Sequence, residues 1–381
     1  MYLLENVVQP YSWGSTDAIP DLLGRPDTGE PQAELWIGAH PLAPSRVDGV
    51  GLDAFLAAHP EAADGKGLPL LLKVLSAAAP LSLQVHPTLE QAQAGFAAEN
   101  AAGIPLDDPA RSYKDANHKP ELIVALTPFS ALAGFRELDE SAAEIAALAG
   151  QPLPADDVKA AVLWLLTEPA AREFAAAVVA GAAAHPELPG ADTVNYIAGF
   201  YPDDPGVVVA LLLNRVDMPP GGAIFLDAGT VHAYLQGTGI EVMATSDNVL
   251  RAGLTGKHID VAELARIANF EPDWPQVVDA LATTPMFSHS ERRDYNVESA
   301  GIELVDTRLN GQEKPLHLAK GPALLLALEG EIALTADAGE LPGSQATLTL
   351  AKGQSAFVPH GEYALASGTG RVFALHESVL S

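Results

Sequence analysis

The 381-residue sequence predicts a mainly β protein with a block of helices inserted between its β regions. Short apolar runs broken by Pro and Gly fill about the first 135 residues. Alanine-rich helix formers fill residues 138–213, and apolar runs separated by Gly turns then continue to the C-terminus. Since a single hydrophobic core usually stops growing at about 250–300 residues, we expect two or three domains.

The first predicted domain combines residues 1–137 and 214–268. Runs such as ELWIGAHPLAPS and PLLLKVLS have the composition of strands and connecting loops. Helices are expected from Leu89 to Ala101 and from about Val261 to Ile267.

Residues 138–213 predict an all-helical insertion of four to five helices. Ser141 and Glu144 have the spacing of a capping box, and Pro169 stands where a helix favours proline. We expect this block to be an appendage that contributes little direct chemistry.

Residues 269–381 predict a second β domain. LLLALEGEIALTA is interpreted as two strands across a Glu-Gly turn, and ATLTLAKGQSAFVPHGEYAL as a further pair. The succession of strand, Gly turn, strand and Pro-His-Gly resembles a cupin-type jelly roll. Because this region lacks a His-x-His motif with a glutamate, we expect a metal-free barrel.

Composition narrows the classes of function. The formal net charge of −28 argues against nucleic acid, since phosphate backbones require clustered Lys and Arg. With no cysteine, a metal must be held by His, Asp, Glu or Gln. No apolar run approaches the roughly 18 residues of a membrane helix, and the N-terminus lacks a basic leader region. We therefore expect a cytoplasmic protein that acts on a small molecule, with a monomer as the default.

The first polar motif is LSLQVHPT, residues 81–88. Its apolar residues alternate with Ser82, Gln84 and His86, which is the period of a strand with two unlike faces. Gln84 and His86 therefore project to one side, about 7 Å apart along the strand, within reach of one metal ion. A solvent-facing strand edge would show the same pattern.

The second motif is YKDANHKPELIVAL, residues 113–126, in which Glu121 begins an apolar run. A carboxylate at the start of a buried strand loses its contacts with water, which costs free energy unless a cation neutralises the charge. That cation is either Lys119 or a metal ion, and His118 supplies a further titratable group.

The third motif spans residues 224–260 and contains His232 after a Gly-Thr turn. A core histidine bonded to a backbone carbonyl is the alternative to a metal ligand here. Glu241, Asp247 and Arg251 cluster within eleven residues of an apolar setting, which packing alone explains poorly. Two histidines, a glutamate and a glutamine suit zinc, although manganese, cobalt or iron can bind the same set. An open coordination position would indicate a catalytic metal.

The sequence resembles the type I mannose-6-phosphate isomerases over nearly its whole length. The segments QPYSWGS, ELWIGAHP, LPLLLKVLSAAAPLSLQVHP, NHKPELIVAL and HAYLQGTGIEVMATSDNVLRAGLT carry this resemblance. It implies cupin-type β domains with a helical insertion and one Zn²⁺ per chain. The family's ligands fall on Gln84, His86, Glu121 and His232. Its active-site residues fall on Ser82, Lys119, Glu241, Asp247, Arg251 and Lys257, with His118 and Lys73 close by. Gly256 departs from the proline that is common in the family.

The resemblance implies interconversion of mannose 6-phosphate and fructose 6-phosphate through an enediol(ate). Asp247 and Glu241 are the candidate bases, and Asp247 is preferred because Arg251, four residues on, would hold it ionised. His118 is the candidate for ring opening. Arg251 is expected to bind the phosphate with Lys257 or Lys119, and Ser82 and Lys73 to contact the substrate. The alternatives are a cupin dioxygenase and a sugar-phosphate sensor without turnover.

Overall fold

The computed structural model describes residues 1–284, 290–311, 315–336 and 341–377. The helices are α1 (Ala18–Leu22), α2 (Leu52–Ala58), α3 (Leu89–Ala101), α4 (Leu138–Ala149), α5 (Val158–Thr167), α6 (Ala170–Ala184), α7 (Ala191–Ala198), α8 (Gly206–Leu211) and α9 (Val261–Ile267). The first strands are β1 (Tyr2–Leu4), β2 (Val7–Gln9), β3 (Glu34–Ile37), β4 (Arg46–Val47), β5 (Val50–Gly51), β6 (Leu70–Ala77), β7 (Leu83–Val85), β8 (Glu121–Ala125), β9 (Phe129–Phe135), β10 (Leu213–Met218), β11 (Ala223–Leu226), β12 (His232–Ala244) and β13 (Leu250–Gly253). The later strands are β14 (Gln276–Val277), β15 (Leu281–Thr283), β16 (Glu291–Val297), β17 (Ile302–Asn310), β18 (Leu316–Lys320), β19 (Ala323–Thr335), β20 (Thr347–Ala351), β21 (Ser355–Val358) and β22 (Tyr363–Glu377).

The mainly β character and the central helical region are confirmed. Across the described ranges the strands form two large antiparallel sheets and a small β4–β5 ribbon. The first sheet runs β14-β11-β8-β12-β6-β3-β2, with β7, β9, β10 and β13 attached to it. The second runs β1-β21-β19-β22-β17-β16-β15, with β18 and β20 attached. The first sheet therefore includes the short strand β14 from the C-terminal part of the chain, and the second sheet includes the short strand β1 from the N-terminus. The division into domains stays a prediction.

The helical region comprises α4 to α8 and lies between β9 and β10. The predicted capping box is wrong, because α4 begins one turn earlier than that motif requires. Ser141 lies inside the helix, where its hydroxyl donates to the carbonyl of Glu137 at 3.2 Å. Glu144 instead forms an ion pair with Arg136 at 2.8 Å.

The helices share one hydrophobic core with the strand that follows β6. Leu83 and Val85 of β7 pack in the same buried cluster as Val162, Val178 and other helical residues. The helical region therefore supports the strand that carries Gln84, a structural role that the prediction of an appendage did not include.

Strand alternation divides the first sheet between a core and a polar face. On β6, Leu70, Leu72 and Val74 join β12 residues in the apolar core between the two sheets. Lys73 and Leu75, at the intervening positions, face a cavity on the other side. This period-2 pattern places charged side chains in a sheet that is otherwise buried.

The second sheet differs from the prediction in one strand. LLLALEGEIALTA does not form two strands across a Glu-Gly turn, but lies, except for its last residue, within the single long strand β19. A β-bulge between Ala327 and Glu329 and a left-handed Gly330 bend this strand, so that it continues along β22. A β-bulge of this kind bends a strand and changes its direction without ending it. The cupin-type assignment stays a prediction.

None of the helices in the described ranges has the length and apolar character needed to span a bilayer.

Candidate metal centre and active site

Three buried side chains from separate strands or strand ends converge on one point. His86 follows β7, Glu121 begins β8 and His232 begins β12, and each is about 1% exposed. Their ligand atoms all lie within 4.8 Å of one another. Nε2 of His86 lies 3.3 Å from Oε1 of Glu121, and Nε2 of His232 lies 3.3 Å from Oε2.

Backbone carbonyls set the tautomer of both histidines. Nδ1–H of His86 donates to the carbonyl of Asn248 at 2.7 Å, and Nδ1–H of His232 donates to that of Thr230 at 2.9 Å. Each Nε2 therefore carries a lone pair on the side of Glu121, and that of His232 also lies within hydrogen-bond distance of the Gln84 amide. Burial lowers the pKa of His86 to about 4, so this imidazole is neutral and ready to act as a ligand.

The donor set fits a divalent cation. Within the described ranges, Nε2 of His86 and Oε2 of Glu121 are buried without a hydrogen-bond partner, a costly state that a metal ion would relieve. Gln84 is the cross-strand partner of His232, with its amide nitrogen 3.2 Å from Nε2 of that histidine. Rotating the amide by half a turn would present its oxygen instead, which completes a ligand set of nitrogen and oxygen atoms.

Lys119 is an ion-pair partner of Glu121 and does not replace the metal. Its Nζ lies 3.0 Å from Oε1 of Glu121. Burial by itself would raise the pKa of Glu121, but the Lys119 ammonium holds that pKa well below its usual range. The carboxylate is therefore ionised and can bind both cations.

A cavity of about 540 Å³ opens beside these ligands and is lined by Gln84 and Glu121. The charged side chains that line it are Lys73, Lys119, Arg251 and Lys257 together with Glu34, Glu121, Glu241 and Asp247. Cations and carboxylates are thus equal in number here, whereas the whole chain has 21 Lys and Arg against 49 Asp and Glu. A divalent metal ion would make the cavity net positive and suited to an anionic ligand.

A buried charge cluster forms one wall of the cavity. Nζ of Lys73 lies 3.2 Å from Glu241 and 3.5 Å from Glu34, and the indole N–H of Trp36 donates to Glu34 at 2.6 Å. Register explains the contacts, since Lys73 pairs with Trp36 on one side and with Glu241 on the other. Burial would lower the pKa of Lys73, but Glu34 and Glu241 keep it above its ordinary value. Burial raises the pKa of Glu241.

Arg251 and Lys257 form a second, uncompensated positive region. Burial lowers the pKa of Arg251, and the Arg251 charge, followed by burial, lowers that of Lys257. In the part of the chain that the structure describes, no carboxylate lies within ion-pair distance of either side chain. Two adjacent cations without a counterion indicate an anion site.

The structure brings most of the predicted site residues to this cavity. Ser82, Lys73, Lys119, Glu241, Asp247, Arg251 and Lys257 all line it. His118 is half-buried in the loop before β8 and is not among the side chains that line the cavity. In the described residues Arg251, which was expected to hold Asp247 ionised, is not within ion-pair distance of it, and Oδ1 of Asp247 instead lies 3.5 Å from Nε2 of His40.

Several side chains in or beside the cavity were missed. Glu34, Trp36 and His40 belong to ELWIGAHP, where Glu34 and Trp36 alternate with apolar residues as Gln84 and His86 do. That alternation was a usable signal for a polar face. Tyr201 of the helical region also lines the cavity, which no local pattern indicated.

The chain is similar to several known proteins. Residues 1–138 match the family model described as "Phosphomannose isomerase type I, catalytic domain". Mannose-6-phosphate isomerases from Salmonella typhimurium and Escherichia coli are 40% and 38% identical to this chain, each over 100% of both sequences.

Solved structures show the same likeness. The apo form of the Salmonella typhimurium enzyme has a TM-score of 0.84 at 37% identity and covers 100% of this chain and 99% of its own. A zinc-bound holo mannose 6-phosphate isomerase has a TM-score of 0.81 at 37% identity and covers 99% of each chain. The chain belongs to the type I phosphomannose isomerase family.

Proposed function

We propose that the protein interconverts D-mannose 6-phosphate and D-fructose 6-phosphate, with one zinc ion held by Gln84, His86, Glu121 and His232. The observation that carries this proposal is one cavity that joins a buried, thiol-free ligand set to cations without counterions. The full-length relatives named mannose-6-phosphate isomerase and the zinc-bound neighbour support both the reaction and the metal.

Arg251 and Lys257 are proposed to bind the phosphate. A guanidinium can hold two phosphate oxygens at once, and an ammonium adds a point charge. Burial of Arg251 strengthens this contact because less water competes for the charge. Ser82 and Lys73, which also line the cavity, are proposed to contact the substrate.

Asp247 is proposed to take the proton from C2 of the sugar and to return it to C1. Both carboxylates line the cavity, but the side chain of Asp247 is 36% exposed, whereas that of Glu241 is 4% exposed and lies 3.2 Å from Nζ of Lys73. A carboxylate enclosed in a buried ion pair is less free to reach the substrate carbon than one that is partly exposed in the cavity. Glu241 therefore remains the second candidate.

Bound zinc supplies positive charge that stabilises the negative charge developing on the sugar oxygens during isomerisation. Lys119, 3.0 Å from Glu121, adds positive charge from the protein at the same wall of the cavity. His118 stays the prediction for ring opening.

The test is formation of fructose 6-phosphate from mannose 6-phosphate, measured before and after chelation and after zinc is restored. We expect chelation to abolish turnover and zinc to restore it most readily. Binding of the sugar phosphate without turnover would favour a sensor, and oxygen consumption would favour a dioxygenase. Full turnover by protein shown to be metal-free by elemental analysis would contradict the proposed metal dependence.

A further inference from the structure

We propose that His40 is a positioning residue, which holds the Asp247 carboxylate in the orientation required for proton transfer. This inference rests on the proposed role of Asp247 as the base. It assigns a function to a buried histidine that neither the metal centre nor the phosphate site uses.

The hydrogen-bond pattern places the imidazole proton of His40 on the nitrogen that faces Asp247. Nδ1 accepts the backbone N–H of Leu42 at 3.3 Å, so the proton of the neutral ring lies on Nε2. That nitrogen is 3.5 Å from Oδ1 of Asp247. Burial lowers the pKa of His40, which favours the neutral ring, with its N–H on the side of the carboxylate.

Packing fixes the ring more firmly than the carboxylate. His40 is 1% exposed and meets the Trp36 ring edge-on, with ring centroids 4.7 Å apart. Trp36 is held in turn by its bond to Glu34 on strand β3. His40 follows β3 and is held by burial and by its packing on Trp36, while Asp247 lies in the loop between β12 and β13.

The backbone of Asp247 is anchored separately. Its N–H donates to Oδ2 of Asp115 at 2.8 Å, and the neighbouring Ser246 hydroxyl donates to Oδ1 of the same residue at 2.9 Å. These bonds place the main chain but leave the Asp247 side chain free to rotate. His40 is the contact that restrains this rotation.

Replacement of His40 should therefore lower kcat with little effect on KM. A misplacement of about 1 Å costs up to about 100-fold in rate, so we expect His40→Phe to reduce kcat about 10- to 100-fold. Phenylalanine keeps the packing on Trp36 but has no N–H to donate. In His40→Gln the side-chain amide nitrogen takes the place of Nε2. If His40→Phe lowers kcat about 100-fold, His40→Gln should therefore lower kcat by no more than about 10-fold.

His59 offers a matched control. Its Nδ1 lies 3.5 Å from Glu61, and its ring lies 4.9 Å from that of Phe55, away from the cavity. His59→Phe therefore removes a histidine–carboxylate contact of the same length beside an aromatic ring. We expect it to leave kcat and KM unchanged.

A double-mutant cycle with Asp247→Asn decides whether His40 acts through Asp247. When Asp247→Asn is already present, His40→Phe should change kcat by less than about twofold, because the group that it positions has been removed. Equal loss in both backgrounds, or a loss confined to KM, would overturn the inference. Zinc content should be the same in all variants.

A second measurement does not depend on turnover. Nitrogen-15 spectra of imidazole-labelled protein should show His40, assigned by its absence in His40→Gln, as the Nε2-protonated tautomer. Its Nε2 resonance should shift in Asp247→Asn. An Nδ1-protonated ring, or no shift, would refute the contact even if the wild-type protein fails to isomerise mannose 6-phosphate. That failure would count against the proposed function alone.

Discussion

At the scale of single residues, both histidines of the metal centre present Nε2, because a carbonyl accepts the hydrogen on the other nitrogen. The carbonyl of Asn248 orients His86, and the Asn248 side chain donates to the carbonyls of Asp115 and Asn117 at 2.9 and 2.8 Å. One buried asparagine thus links a metal ligand to the loop before Glu121. Such outer contacts commonly tune metal affinity.

His86→Ala and His232→Ala should each lose zinc and activity together. Each change removes a nitrogen donor from a set that has no thiolate to compensate. Zinc per chain is measured by elemental analysis, with the exposed His185→Ala as control. A variant that kept stoichiometric zinc would show that its histidine is not a ligand.

Arg251→Ala should fail mainly in KM. If Arg251 binds the phosphate, the contact exists in the ground and transition states alike. Losing its binding free energy of about 2–3 kcal/mol should raise KM about 30- to 150-fold. Steady-state kinetics on mannose 6-phosphate measure this change. Arg308→Ala, which breaks an exposed pair with Glu329, is the control. A loss confined to kcat would remove Arg251 from the phosphate site.

Asp247→Asn should fail mainly in kcat, by about 10²- to 10⁴-fold, because a base acts only during proton transfer. It should also block exchange of the C2 proton with solvent deuterium, a step that is separate from ring opening. Exchange at the wild-type rate would pass the role of base to Glu241.

At the scale of elements, a close approach between α8 and β13 fixes the strand that carries Arg251. A Cβ added to Gly253 would meet Cα of Gly206 at 2.7 Å, and the φ of Gly253 is +135°. Only glycine combines this backbone conformation with this contact. The helical region therefore sets the position of a strand that lines the cavity.

Gly253→Ala should lower the free energy of unfolding by about 1–3 kcal/mol through strain and overpacking. It should also weaken substrate binding, since β13 must move away from α8. Thermal and denaturant unfolding measure the first effect. Gly256→Ala is the stability control, because a Cβ there would meet nothing within 4 Å. Equal stability of the two variants would contradict this account of the α8–β13 contact.

At the scale of the whole molecule, the metal ligands are carried by a sheet with its own hydrophobic support. Strands β6, β8 and β12 pack on the second sheet through one core, and β7 packs on the helices through another. We therefore expect the positions of the proposed ligands not to depend on the metal, unlike those of a small zinc module that folds only when loaded.

Metal removal should thus leave the protein folded while lowering its Tm. Zinc that binds only the folded state stabilises it by mass action, about 4 kcal/mol when free zinc is 1,000 times Kd. Circular dichroism of chelated protein should keep its strand signal, and Tm should rise when zinc is restored. Loss of that signal on chelation would show that the sheet needs the metal to fold.

Local patterns were enough to predict the parts of the fold and site that depend on short stretches of chain. The bounds of α3 and α9 agree with the predicted helices, because a side-chain cap, Thr88 or Asp260, lies directly before each helix and acts within its first turn. Gln84 and His86 were recognised as a pair for the same reason, since residues two apart on a strand share a face.

Contacts between distant residues were decided only by the tertiary structure. Asp247 contacts His40 rather than Arg251, and Lys73 lies between Glu34 and Glu241, because strand register brings together residues far apart in sequence. The continuity of β19 likewise depends on its long pairing with β22, which overrides a local Glu-Gly turn signal. Residue types and local spacing determined which chemistry the chain could perform. Register and packing decided which groups meet, because the energies of strand pairing act across the sheet and not along the chain.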